Sequence, residues 1–406
     1  MQILMSLVGI VTLLAIAVLL SDNRKAINLR TVGGAFVIQA GLGAFVLYVP
    51  VGQDLLGAIS NGVASVISYA NDGIGFLFGD LGRFKVGFIF AINVLPVIIF
   101  FSSLIGVLYY LGIMQKVVAF LGGGLQKMLD TSRAESLSAT GNIFVGQTEA
   151  PLLVRPYIGR MTESELFAVM CGGLASVAGS VLAGYAGMGV ELKYLIAACF
   201  MAAPGGLMMA KIMMPETEQP DENTTIHLPD EERPANLVDA IAMGAMDGAK
   251  LGLAIGAMLI AFIAMVAMLN GILTILGDVA GVSDLTFERI LGWLLAPLAY
   301  LLGVAWGEAT TVASLIGQKL VLNEFVAFVN LTTGDLQLSE HSRAVATFAL
   351  CGFANISSIA ILLGGLGGLA PSQRPLIARM GFRAVAAASL ANFMSAALAS
   401  FFLMLQ

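Results

Sequence analysis

The sequence predicts an all-α, polytopic membrane protein with eight transmembrane helices, two re-entrant helical hairpins of opposite orientation, an interfacial helix and an inverted internal repeat. Three observations carry that expectation. Of 406 residues, 58% are hydrophobic and 11% charged, against about 25% charged in a soluble domain, and the mean hydropathy is +0.91. Apolar runs of bilayer-spanning length recur along the chain. Two stretches break that pattern with a carboxylate set among neutral polar groups. The 47 glycines fit close helix packing and broken helices in lipid. A net charge of −6 argues against nucleic acid as a partner. Cys171, Cys199 and Cys351 lack any CxxC spacing and read as small packing residues.

Residues 2–20 form a first span without the basic start or cleavage site of a signal peptide. Arg24, Lys25 and Arg30 follow, which places this loop in the cytoplasm and the N-terminus outside. A second span covers 32–51, and 52–85, with its turn-like Asn71-Asp72-Gly73, reads partly as outer interface. After a third span at 87–113, residues 115–129 are too short to cross and carry Lys116 and Lys127 at their edges, as in an interfacial amphipathic helix.

The stretch 141–157, GNIFVGQTEAPLLVRPY, comes next, between Arg133 and Arg155. Basic residues on both sides put both ends in the cytoplasm, so it reads as a hairpin with Gly146 and Pro151 at helix breaks. Spans at 165–190 and 194–214 lead to an acidic cytoplasmic loop at 215–236. One long tilted helix is expected over 240–277. Residues 287–330 hold a second hairpin of opposite orientation, its arms meeting at Gly307-Glu308-Ala309-Thr310. A span at 343–370, interrupted at Asn355, Ser357 and Ser358, precedes Arg374, Arg379 and Arg383, and a last span at 384–405 leaves the C-terminus outside. GQTEAP pairs with GEAT, and the run from Cys171 to Ser176 with that from Cys351 to Ile356, as two repeats. Inverted repeats meeting at the bilayer midplane are the signature of secondary transporters.

A carboxylate at membrane depth costs about 2.5–3.5 kcal/mol on insertion scales, so Glu149 and Glu324 either face a cavity or are paired for structure. Gln147, Thr148, Asn355, Ser357 and Ser358 offer neutral donors and acceptors suited to an uncharged polar ligand. Phe353 could stack on a planar ring or simply pack. Asn142 and Ser176 suit either a monovalent cation or interhelical hydrogen bonds. Glu308 could hold a hairpin tip through backbone N–H groups, and Glu191 ends a helix at the interface. His227 and His341 are expected in loops, and neither a nucleophile motif nor a metal cluster accompanies the carboxylates, so no enzyme is predicted. A channel would need no such symmetric arrangement.

GQTEAPLLVRPYI, CGGLASVAGSVLAGY, NEFVAF and CGFANISSIAILLGGLGGLAP resemble signature segments of the concentrative nucleoside transporters, and the similarity extends over essentially the whole chain, towards the sodium-coupled bacterial members. The resemblance implies a homotrimer in the bacterial inner membrane, with periplasmic termini, that moves nucleosides of the uridine, cytidine or adenosine type inward with sodium by an elevator motion. It assigns Gln147, Thr148 and Glu149 to the nucleobase, with Val181 nearby and Phe353 packed on the base, and Glu324, Asn355 and Ser358 to the ribose. The side chains of Asn142 and Ser176 and the carbonyls of Val145 and Val177 would hold sodium. By the same resemblance 1–114 is mostly scaffold, 115–214 transport domain, 215–238 the acidic loop, 239–280 a scaffold and trimerisation helix, 281–383 transport domain and 384–406 the C-terminal helix. GQTEA differs from the GQSEN of proton-coupled relatives, which leaves proton coupling as the alternative.

Overall fold

The computed structural model describes residues 2–83, 85, 87–220, 234–334 and 336–406, which are helical throughout with no strand among them. Helices α1 (Gln2–Leu19) and α2 (Leu29–Leu47) are the first two expected spans. Asn28 caps α2, its Oδ1 accepting from the N–H of Arg30 at 2.9 Å. Helix α3 (Pro50–Phe78) replaces the expected turn at Asn71-Asp72-Gly73 with 29 continuous helical residues. Leu56, Val63 and Ala70, spaced by two helical turns, pack inward along one face. That periodic stripe outweighs the roughly 1 kcal/mol cost of Gly73 inside a helix. Helices α4 (Phe90–Asn93) and α5 (Leu95–Tyr110) form the third span, and α6 (Ile113–Leu129) is the expected amphipathic helix.

The first internal unit opens with α7 (Arg133–Gly141), turns over 142–149, and returns through a 3-10 segment at Ala150–Val154 and α8 (Arg155–Ile158). The expected span at 165–190 is broken into α9 (Glu163–Ala175) and α10 (Gly179–Gly187). Ser176 is extended, and the Gly179 N–H donates to the Phe144 carbonyl at 3.0 Å. A backbone bond to the hairpin tip thus replaces the helical ladder at the break. Helix α11 (Leu192–Met213) completes the unit.

Helix α12 (Leu237–Val279) runs 43 residues, followed by α13 (Phe287–Leu301), α14 (Trp306–Val321) and α15 (Glu324–Thr333). Here the expected hairpin tip is corrected. Gly307 to Thr310 lie in the first turns of α14, which meets α13 at a 115° bend, whereas the chain reverses at Leu322-Asn323. Helix α15 returns along α14, with the Asn330 amide donating to Gln318 Oε1 at 2.5 Å. Glu308 favours a helix start rather than a turn, since an acidic side chain suits the positive end of the dipole. It accepts from the Ser339 N–H at 3.0 Å and Oγ at 2.9 Å, joining α14 to the N-cap of the next helix instead of holding a tip. Asn323 caps α15 by accepting from the Val326 N–H at 3.0 Å, and so marks the true reversal.

The expected span at 343–370 is three pieces, α16 (Glu340–Leu350), α17 (Ser358–Gly364) and α18 (Leu366–Leu369), with Asn355 and Ser357 in the break. Helix α19 (Arg374–Leu403) begins ten residues before the expected 384, so Arg374, Arg379 and Arg383 ride on it. His341 lies in α16 rather than in a loop, beside Ser400 Oγ at 3.1 Å. Most of the acidic loop, 221–233, and His227 with it, lies outside the described residues. Glu191 stands at the N-cap position of α11 without a side-chain capping bond and pairs with Lys193 at 2.8 Å.

Helices α9, α11 and α19 form the buried centre; α1 packs along α19 and α2 along α11. A separate pair is made by α5 and α12. A β-carbon on Gly244 would come within 2.7 Å of Ser103 Cα, and one on Gly248 within 2.7 Å of Ile99 Cα, so these two glycines let the backbones touch. At the start of the first unit, Ser132 with Glu135 and Thr162 with Glu165 form two capping boxes. Lys211 of α11 ties them together, bonded to Glu135 and to Ser164 Oγ at 2.8 Å, with all three residues buried. Breaking a buried pair leaves an uncompensated charge, costing about 3–5 kcal/mol. Lys211→Met is therefore expected to lower the melting temperature in detergent sharply, and adding Glu135→Gln, which keeps the cap, to restore most of the loss; an equally unstable double variant would contradict this.

Candidate functional site

The two hairpin tips and the two helix breaks converge on one cavity of about 380 Å³, near the lower end of small-ligand sites. Gln147, Thr148 and Glu149 reach it from the first tip, Val181 from α10, Glu324 from the second tip, and Phe353, Asn355 and Ser358 from the break between α16 and α17. All eight expected substrate residues thus line a single space. Its opposite wall is a face of α12 carrying Asp247, Leu251, Ile255 and Met258.

The two carboxylates are held differently. Glu324 is buried, accepting from Tyr185 Oη at 3.0 Å and from Asn355 Nδ2 at 3.2 Å. Asn355 Oδ1 in turn accepts from Ser357 Oγ at 2.7 Å, and from the N–H and Oγ of Ser358 at 2.9 and 3.0 Å. This network fixes the direction of every polar atom around Glu324. Glu149 accepts the Gly146 N–H at 2.8 Å and is otherwise open to the cavity. Gln147 is buried, and its Oε1 has no hydrogen-bond partner. A buried acceptor left unmade costs about 1–3 kcal/mol, which a bound donor would recover.

The four expected ion ligands lie behind the first tip, outside the cavity wall. Asn142 terminates α7 and packs against Gly172 and Gly173 of α9, its Nδ2 donating to the Ser138 carbonyl at 2.8 Å. Its Oδ1 is buried and without a partner. Ser176 Oγ donates to the Gly172 carbonyl at 3.2 Å, while Val145 and Val177 are buried in the two unwound segments. An amide oxygen, a hydroxyl and non-helical carbonyls are the oxygen donors a hard monovalent cation takes.

Residues 194–400 match the sequence family described as Na+ dependent nucleoside transporter C-terminus, residues 8–81 its N-terminus, and residues 91–191 a nucleoside recognition family. The chain belongs to the concentrative nucleoside transporter family. It is 51% identical to the nucleoside permease NupC of Helicobacter pylori, over 98% of each chain. Against the sodium/nucleoside cotransporter 1 of Mus musculus it is 39% identical, over 98% of this chain and 63% of the mouse protein. The transporter CNTnw in an inward-facing substrate-bound state is 57% identical, with a TM-score of 0.95 over 100% of this chain and 99% of that one. A doubly substituted CNTnw in an outward-facing state gives 0.97 over the whole of both chains. The protein is a nucleoside transporter of the Na+-dependent family, and its relatives are permeases and cotransporters rather than enzymes.

Sequence reasoning missed three parts of this transporter's site, one behind the cavity wall and two on it. Tyr185, fully buried between Phe325 and Phe328, with ring centroids at 4.7 and 4.5 Å, is the donor that orients Glu324. It stands one helical turn after Val181, and that spacing on a cavity-facing helix was the available signal. Asn323 and Phe325 flank Glu324 at the tip, concealed by the misplaced reversal. Asp247, near the start of α12, is the third. A hydrogen bond to a charged group contributes about 1.5–3 kcal/mol, so Tyr185→Phe should weaken nucleoside binding about tenfold or more; calorimetric titration giving unchanged affinity would show that Tyr185 does not position Glu324.

Proposed function

We propose that the protein imports nucleosides together with sodium by an elevator-type alternation between outward- and inward-facing states. The observation that carries the sodium reading is Asn142 Oδ1, a buried amide oxygen without a partner at the end of α7. An amide does not titrate near neutrality, so this vacancy in the hydrogen bonding suits a metal cation better than a coupling proton. Ser176 and the carbonyls of Val145 and Val177 complete the set. On this reading Gln147, Thr148 and Glu149 recognise the base, Val181 and Phe353 pack on it, and Glu324, Asn355 and Ser358 bind ribose hydroxyls. The unpaired Gln147 Oε1 and the open Glu149 carboxylate support a base that supplies donors, and the rigid network around Glu324 supports recognition of a fixed pair of hydroxyls.

The two hairpins re-enter the membrane from opposite sides in this scheme. The moving body contains both hairpins, both broken helices, α11 and α19. Because α1 and α2 pack along α19 and α11, we assign them to the moving body as well, which narrows the scaffold expected over 1–114 to α3 and α5, together with α12. A homotrimer in the bacterial inner membrane with periplasmic termini completes the proposal.

Uridine uptake into proteoliposomes tests it: accumulation is expected under an inward sodium gradient, and accumulation under a proton gradient alone would replace sodium by proton coupling. Glu324→Gln should impair ribonucleosides as a class, by about tenfold or more for a lost charge-assisted bond, without reordering preference among bases; a reordered preference would reverse the assigned roles. Asn142→Ala should raise the sodium concentration needed for half-maximal uptake while leaving the choice among nucleosides intact, and an unchanged sodium dependence would remove that residue from the ion site.

A further inference from the structure

Among the described residues of α12 that line the cavity, Asp247 is the polar one, the others being Leu251, Ile255, Met258 and Leu259. It stands one helical turn before Leu251, with Met258 about 17 Å further along the helix. Its charge acts on Glu149 of the first tip, so it faces the end of the cavity that Gln147, Thr148 and Glu149 form. Lys250 holds one oxygen of Asp247, Oδ1, at 3.1 Å, which leaves Oδ2 to accept from a ligand. Opposite, Glu149 takes the Gly146 N–H on Oε2, and the buried Gln147 keeps Oε1 without a partner. Acceptors therefore converge on this end of the cavity from both walls, and an ionised carboxylate accepts without donating.

An amino group on a heteroaromatic ring carries two N–H bonds, whereas a keto oxygen at the same place carries only lone pairs. Between carboxylates on facing walls the amine can donate to both, and the keto group meets charge of its own sign. We propose that Asp247 is a specificity-determining residue: with Glu149 it brackets the exocyclic amino group of the base, one N–H going to each carboxylate, and so favours amino-bearing bases. The inference rests on the reading above that the base stands at the first tip. In the elevator scheme Glu149 moves and Asp247 does not, so the bracket belongs to the position of the tip in which both residues line one cavity, as they do in this structure.

Two substrate pairs isolate that group. Cytidine and uridine exchange an amine for a keto oxygen, and adenosine and purine riboside exchange the amine for hydrogen. The kcat/KM of uptake is measured for all four in proteoliposomes under one sodium gradient, and the ratio within each pair is compared with the parent's. Asp247→Ala removes the acceptor and is expected to lower both ratios about tenfold or more, the loss of one charge-assisted hydrogen bond. Asp247→Asn can give an N–H to a keto oxygen, so it should lower the cytidine-to-uridine ratio further than the adenosine-to-purine-riboside ratio. The Asp247 side chain is 67% exposed, so both variants should keep the parent's melting temperature in detergent. Ratios that stay within about twofold of the parent's in Asp247→Ala overturn the proposal, as does a fall in uptake shared equally by all four nucleosides. Glu149→Gln should lower both ratios as well. If it leaves them unchanged, the base does not stand at the first tip, and the reading on which the proposal rests fails whatever Asp247→Ala does.

Discussion

The need to satisfy backbone polar groups away from water governs this architecture. In a bilayer an unpaired N–H or C=O costs several kcal/mol, so non-helical backbone survives only where protein or a hydrated cavity surrounds it. The tips and breaks around the cavity are closed largely by bonds to one another. The Gly179 N–H reaches the Phe144 carbonyl at the first tip, the Ile356 N–H reaches the Leu320 carbonyl at 3.1 Å beside the second, and the Phe353 N–H reaches the Ser176 carbonyl at 3.2 Å. That last bond joins the two broken helices directly. The tips and breaks are therefore one hydrogen-bonded unit, and the cavity exists because four irregular segments have to meet where each can satisfy the others.

The same constraint sorts the carboxylates. Glu324 stands on the tip that Tyr185 and Asn355 secure, and its oxygens already accept two side-chain donors. Glu149 has a single backbone donor and opens to the cavity. A pocket whose tips bring one prearranged and one free carboxylate among neutral amides and hydroxyls, with Asp247 on the facing wall, suits a ligand whose two ends differ in hydrogen-bonding character. A nucleoside, with a ribose at one end and a flat heteroaromatic base at the other, is such a molecule, and the family to which the chain belongs carries nucleosides.

The first hairpin was legible because basic residues bracket it and a charged group interrupts an apolar run, both one-dimensional signals. The second hairpin was misplaced because Gly307-Glu308 looks like a break, while Trp306 starts a helix there and Glu308 ties that helix to the N-cap of α16. The true reversal at Leu322-Asn323 was written as an N-cap asparagine, a weaker mark than a glycine. Ser176 gave no warning of its break, since the bond that compensates it comes from Phe353, far along the chain. Tyr185 was invisible for the same reason, its partner Glu324 lying 139 residues away. The expected substrate residues converge because their polarity stands out against an apolar background, whereas their supporting partners are ordinary residues whose importance is purely spatial.

The wall opposite these polar groups differs in kind. Apart from Asp247 it is apolar, with Leu251, Ile255 and Met258 of α12 facing the cavity, and among the described residues no hydrogen bond joins this face to the tips or breaks. Helix α12 is anchored instead on α5, through Gly244 and Gly248, and at its far end to Glu288 and the Phe287 N–H through Asn270. Polar bonds are specific in register and would have to break for one surface to slide on another, whereas apolar contacts exchange with little cost as long as the area stays covered. On the proposed elevator reading, the absence of hydrogen bonds between that stretch of α12 and the tips or breaks would let the unit that carries the ligand shift against α12 without losing the bonds that define the site.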